Sequence, residues 1–156
     1  MKKSWSKACV VLCGLVLLFG CSTTAQSHLE QDISLEISGS VSQTLTSDDF
    51  NKMDWTEVDI PRTSKDTEFV VKAKGILLSE VLDYVQADAV SGLVVTAQDG
   101  YSQEYDQQML EEQQNILVFF DDGELLDEDS GPIWLIAPNL PNNMSIKQLI
   151  NIELLP

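Results

Sequence analysis

Apolar residues recur along this chain in short runs cut by polar punctuation, and their period predicts the elements. Ile33, Leu35 and Ile37 alternate with Ser34, Glu36 and Ser38 and stop at Gly39, the pattern of a half-buried strand with which the folded domain begins. Leu45-Thr46-Ser47-Asp48-Asp49-Phe50 opens a short helix reaching about Met53. Thr46 is its cap, acidic residues fill the first turn, and Leu45 is placed to staple against Phe50. Trp55, Val58 and Ile60, then Phe69, Val70 and Val71, read as two strands, with the polar stretch 61–66 as a turn or loop between them. Leu77, Val81 and Val85, with Leu78 and Leu82, form two i,i+4 rows on one face of a core-facing helix.

The longest apolar strands and both Asp-Gly turns fall within 92–138, so the rest of the chain is expected to pack around this stretch. A buried strand over 93–98 ends in Asp99-Gly100, a tight turn whose glycine accepts positive φ. Tyr101 and Tyr105 frame the next strand, Asp106 caps a helix over 107–113, and 116–120 is a continuous apolar run of the kind buried on both faces. Asp122-Gly123 turns that run into a hairpin with Glu124-Leu125-Leu126. Asp127-Glu128-Asp129 lacks the alternating ligand order of a calcium loop and reads as solvated. Gly131-Pro132 leads into a strand over 133–137, Ser145 to Gln148 fits a capped helical turn, and 149–155 is a last strand. Strands outnumber short helices, which makes the class α+β in a single domain.

The start of the chain is different in kind. Lys2, Lys3 and Lys7 precede an apolar run over 8–19 that is short for a membrane span, and Leu18-Phe19-Gly20-Cys21 resembles the lipobox of bacterial lipoproteins. The expected layout is a signal over 1–20, lipid on Cys21, a flexible tether over 21–32 that includes His28, and one domain over 33–156. Cys9 and Cys13 fall in the signal and Cys21 is taken by lipid, so no thiol is left for a disulfide or a metal. More than one acyl chain makes a stable membrane anchor, which places the domain in the cell envelope, facing the periplasm or the exterior. After Cys21 there are six basic against 25 acidic residues, a net of −19, which excludes nucleic acid as a partner and repels an anionic bilayer.

Six motifs then occur in a telling order: Gly39 after a first strand, Leu45-Thr-x-x-Asp-Phe, Gly75-Ile-Leu-Leu-Ser-Glu-Val-Leu, Ala97-Gln-Asp-Gly-Tyr, Gly131-Pro-Ile-Trp-Leu-Ile-Ala-Pro and Ser145-Ile-Lys-Gln-Leu-Ile-Asn-Ile. Together they resemble the oxidoreductase molybdopterin-binding domain of sulfite oxidase and its relatives, over roughly 33–155. The resemblance implies that fold and, in the family's enzymes, a molybdenum held by one cysteine thiolate between the early strands and the Gly-x-x-Leu helix. It also implies an Arg and His set on the pterin phosphate and dithiolene. Here the matching region 55–74 has no cysteine, the domain's one arginine is Arg62, and Pro138-Asn-Leu-Pro-Asn-Asn-Met replaces the family's Gly/Arg loop. Lys147 alone matches the family's terminal lysine by position.

No other reactive constellation stands out. A serine hydrolase needs a base histidine and a zinc site needs His or Cys ligands; His28 is the only histidine. Two readings of different class follow. The first is a noncatalytic lipoprotein without a cofactor, whose module binds a small molecule or a protein at a site including Asp99, Tyr101 and Lys147. The alternative is a molybdenum cofactor-dependent oxidoreductase.

Overall fold

The computed structural model describes residues 28–87, 90–112 and 114–156. Cys21 and the expected signal lie outside them. Among the described residues no helix is long and apolar enough to cross a membrane.

Two five-stranded sheets face each other. The first takes β1 (Ser34–Gly39), β2 (Gln43–Thr46), β5 (Gly92–Ala97), β6 (Ser102–Asp106) and β10 (Leu149–Leu155), in the spatial order β2-β1-β10-β5-β6. β1 and β10 pair in parallel, Glu36 with Asn151 through Gly39 with Leu154, so the two ends of the domain lie side by side in mid-sheet. The second sheet takes β3 (Trp55–Ser64), β4 (Thr67–Leu77), β7 (Ile116–Asp121) and β8 (Glu124–Leu125), in that order, with β9 (Trp134–Ile136) also on β7. Three short helices connect them: α1 (Ser47–Phe50), α2 (Leu78–Tyr84) and α3 (Gln107–Glu112). Asp106 Oδ1 accepts from the Met109 N–H at 2.8 Å, the cap that its position in the sequence predicts.

The alternation along each strand decides what is buried. Leu35, Ile37, Leu93, Val95, Ile152 and Leu154 fill the main core from the first sheet. β7 has no solvent face: Leu117 and Phe119 enter the main core, while Ile116 and Val118 enter a second, smaller core with Ile60, Val71, Ala73 and Ile136. That is why its sequence is continuously apolar. Lys74 pairs with Phe120 and Gly75 with Val118, so Phe119 is the extra residue of a bulge. The bulge brings both phenylalanines toward Trp55, at 5.2 and 6.0 Å between ring centroids. Gly75 is required at this crossing, since a Cβ there would lie 2.0 Å from the Leu117 carbonyl oxygen.

Three sequence expectations are corrected. The stretch 61–66 is not a loop: β3 runs on through Pro61, Arg62 and Thr63, and the reversal is confined to Lys65 and Asp66, at φ 47° and 64°. Such a two-residue turn matches the twist of the flanking strands, and of the polar residues after Pro61, Thr63 and Ser64 face solvent while Arg62 turns inward. The helical turn expected at Ser145 to Gln148 is displaced, because the 3-10 turn is at Asn142–Met144. Ile146 instead forms a bridge with Leu135, and the Ser145 hydroxyl serves Arg62 and the Ala137 N–H. Packing also begins upstream of residue 33. Leu29 is buried in the main core, and Asn51 Oδ1 accepts from the His28 and Leu29 N–H groups, so the last part of the expected tether is docked.

Candidate functional site

The polar interactions of the domain converge on the segment from Ala137 to Ser145, reached from both sheets. From the turn leading into β6 comes Tyr101, 44 % exposed, whose hydroxyl donates to the Asn143 carbonyl at 2.9 Å and accepts from Gln103 Nε2 at 2.6 Å. Tyr105, four residues on and buried, donates to the Met144 carbonyl. Burial pushes its phenol well above the ordinary value, and the nearby Arg62 charge offsets part of that rise. From β3 comes Arg62, 6 % exposed, which donates to the Ala137 carbonyl at 3.4 Å and to Ser145 Oγ at 3.0 Å. Asn142 returns a bond from its amide to the Thr63 carbonyl.

Arg62 is unusual because no carboxylate stands within ion-pair distance of it among the described residues, although acidic residues are abundant. Burial lowers its pKa, and neutral acceptors hold the guanidinium in place. Four of the five lysines among the described residues are also occupied. Lys52 pairs with Asp49 at 3.2 Å, Lys72 with Asp122 at 2.9 Å and Lys74 with Glu57 at 3.5 Å. Lys147 lies over the Trp134 ring, 5.0 Å from its centroid. Lys65, in the hairpin turn, is the one basic side chain with no partner among the described residues.

The residues proposed from sequence are only partly brought together. Asp99 Oδ1 accepts from the Tyr101 N–H at 2.9 Å, closing the turn in which Gly100 has φ +87°. Lys147 is directed to Trp134 on β9. Two clefts flank β3 instead. One of about 560 Å³ follows its edge from Thr56 to Pro61, opposite Leu77, Pro138 and Asn139. The other, about 630 Å³, lies on the outer face of the hairpin among Glu57, Asp59, Lys72, Lys74 and Asp122. Neither is lined by Asp99, Tyr101 or Lys147. The roles of Arg62, Asn142 and Ser145 were not visible in the sequence. Their one signal was that Val58, Ile60 and Arg62 continue a period-two pattern through Pro61.

No family profile and no curated protein matches this sequence. Among solved structures, the sulfane dehydrogenase SoxCD from Paracoccus pantotrophus is similar, with a TM-score of 0.68 at 18 % identity over 78 % of this chain. This chain spans 38 % of that chain's length. The likeness is one of fold, and the fold is the sulfite oxidase-like one that the order of motifs implies.

The molybdenum cofactor that this fold accommodates elsewhere can be tested against the residues present. The sequence has no cysteine after Cys21, and the region that would supply the thiolate is an uninterrupted hairpin closed by two residues. The arginine inside that hairpin is committed to Ala137 and Ser145. This donor set does not fit a dianionic phosphate and a metal-bound dithiolene, because each missing arginine–phosphate contact forgoes roughly 1.5–3 kcal/mol.

Proposed function

We propose that this chain is an exported lipoprotein, anchored to a membrane through lipid on Cys21, whose molybdopterin-binding-like domain is noncatalytic and acts as a binding module for a protein or a small molecule. The observation that carries the reading is Arg62. A cofactor-binding version of this fold needs its cations free to face an anion, whereas here the domain's only arginine is buried and spent on two neutral acceptors of its own chain. The fully paired β3–β4 hairpin and the net of −19 after Cys21 support the same reading. Anchoring is supported by the order of Lys2, Lys3 and Lys7, the apolar run and Gly20-Cys21.

The second reading, a molybdenum-dependent oxidoreductase, is favoured by one observation, the fold shared with a dehydrogenase. Metal and pterin analysis of the protein purified from a molybdenum-replete host decides between the two. The noncatalytic reading expects neither in stoichiometric amount.

A further inference from the structure

β3 is an outermost strand of the second sheet, and at ten residues it is the longest edge among the described strands; the other outermost strands, β2, β6, β8 and β9, have four, five, two and three residues. Which of its backbone groups face outward is fixed by three independent features. A two-residue turn makes Ser64 and Thr67 a bonded pair, so even-numbered residues of β3 bond inward to β4 and odd-numbered ones face out. Pro61, which has no N–H, falls in the outward set, where no ladder bond is lost. Lys72, opposite Asp59, turns its backbone the other way, its N–H to Asp121 Oδ1 at 2.9 Å and its carbonyl to the Asp122 N–H at 3.0 Å. The Thr63 carbonyl is outward as well and is already taken by Asn142. Among the described residues this leaves the N–H and C=O of Glu57 and Asp59 and the carbonyl of Pro61 unpaired beside the 560 Å³ cleft.

From this geometry we infer that the β3 edge from Thr56 to Pro61 is a docking site for an extended, lysine- or arginine-bearing segment of a partner protein, which adds to the sheet as a further strand. The inference rests on the proposed binding role and names its surface. Backbone bonding along a free edge supplies affinity without a particular sequence, and side chains on the strand supply selectivity. The selectivity here is electrostatic. Glu57 and Asp59 project from the edge strand on one face; Glu57 has Lys74 at 3.5 Å, and Asp59 lies opposite Lys72, whose ammonium is held by Asp122 at 2.9 Å. A second copy of this chain is disfavoured as occupant, since antiparallel pairing of two β3 edges would bring these carboxylates against their counterparts between domains of large negative charge. Pro61 limits the addition to the stretch before it.

The test uses the full chain in detergent, ¹⁵N-labelled, titrated with a short capped peptide alternating lysine and valine, and with its glutamate–valine counterpart. The expected result is that the lysine peptide slows amide exchange at Glu57 and Asp59 by roughly tenfold or more, while the glutamate peptide leaves both unchanged. The double variant Glu57→Lys/Asp59→Lys changes two exposed side chains and should exchange the two preferences. No protection by the lysine peptide, equal protection by both peptides, or protection confined to β2 or β6 would overturn the inference. Protection that appears without peptide and grows with protein concentration would also overturn it, in favour of a second copy. Molybdenum content of the same preparation reports separately on the noncatalytic reading.

Discussion

Arg62 donates from Nη2 to the Ser145 hydroxyl at 3.0 Å. The bond joins an edge strand of the second sheet to the loop that leads into β10, the middle strand of the first. It also takes out of circulation the one arginine that could have met a phosphate. Because the guanidinium is buried and has no carboxylate partner among the described residues, its loss should be felt as stability. Arg62→Ala is expected to destabilise by about 2–3 kcal/mol, since it leaves Ser145 Oγ and the Ala137 carbonyl short of a donor. Urea unfolding measures it; a change within about 0.5 kcal/mol, the range of ordinary surface substitutions, would mean that the hairpin is not pinned through this residue.

Gly75 and Gly100 should respond differently to a side chain. At Gly75 a Cβ meets the Leu117 carbonyl oxygen at 2.0 Å, so Gly75→Ala forces β4 from β7 and should cost roughly 2–3 kcal/mol. Gly100 has open space around it and φ +87°, so Gly100→Val should cost more than about 1 kcal/mol through backbone strain alone. Thermal or urea unfolding of the two variants separates packing from conformation, and equal small effects would refute both assignments.

The elements legible from sequence were those whose burial is one-sided or complete. β1, β5, β7 and α2 follow their periodicity because their apolar positions alone decide which face turns inward. The misreading of 61–66 came from a proline and a run of polar residues. On an edge strand the proline loses no ladder bond, and the inward position after it is filled by a polar residue, Arg62, so a strand in that setting looks like a loop. Ser145 to Gln148 fits a helix cap locally, but Ser145 is claimed by Arg62, 83 residues earlier, and no local pattern carries that contact. The site was harder to read than the fold for the same reason. Asp99 and Tyr101 are neighbours in sequence and meet, whereas Lys147, Arg62 and the β3 edge are placed by tertiary packing.

The docking of the segment at 28–29 predicts a pH dependence. The His28 ring lies 4.7 Å from that of Trp55, and burial, with help from Lys74, lowers its pKa below the ordinary 6.5, Glu57 opposing. A proton therefore binds the unfolded chain more readily than the folded one. Stability tied to His28 is present above about pH 6.5 and is lost as the pH falls below it. The stability difference between wild type and His28→Gln should accordingly shift against the wild type between about pH 7.5 and 5.5 in urea titrations. A difference independent of pH would show that the ring is not docked on Trp55.

Asp49 should act at lower pH. Burial works against its charge, but bonds from the Thr46 N–H and hydroxyl, Tyr84 and Lys52 bring its pKa down to about 2. Its stabilising contribution is complete above the usual carboxylate range and is lost as the pH falls toward 2. Asp49→Asn should be less stable than wild type at neutral pH, with the gap closing under acid. A gap of constant size would contradict the assignment.

Anchoring has its own test. Cys21→Ala should move the protein from the membrane fraction to the soluble exported fraction, because the lipid supplies the only stable attachment proposed. Retention on the membrane would show that the apolar run over 8–19 is an uncleaved anchor.

The central claim is that a sulfite oxidase-like fold is used here without its metal. It is tested most directly by counting molybdenum atoms per chain, by elemental mass spectrometry, in protein purified from a molybdenum-replete host. The account predicts far less than one atom per chain, unchanged in Arg62→Ala. One atom per chain in the wild type, accompanied by pterin, would contradict it.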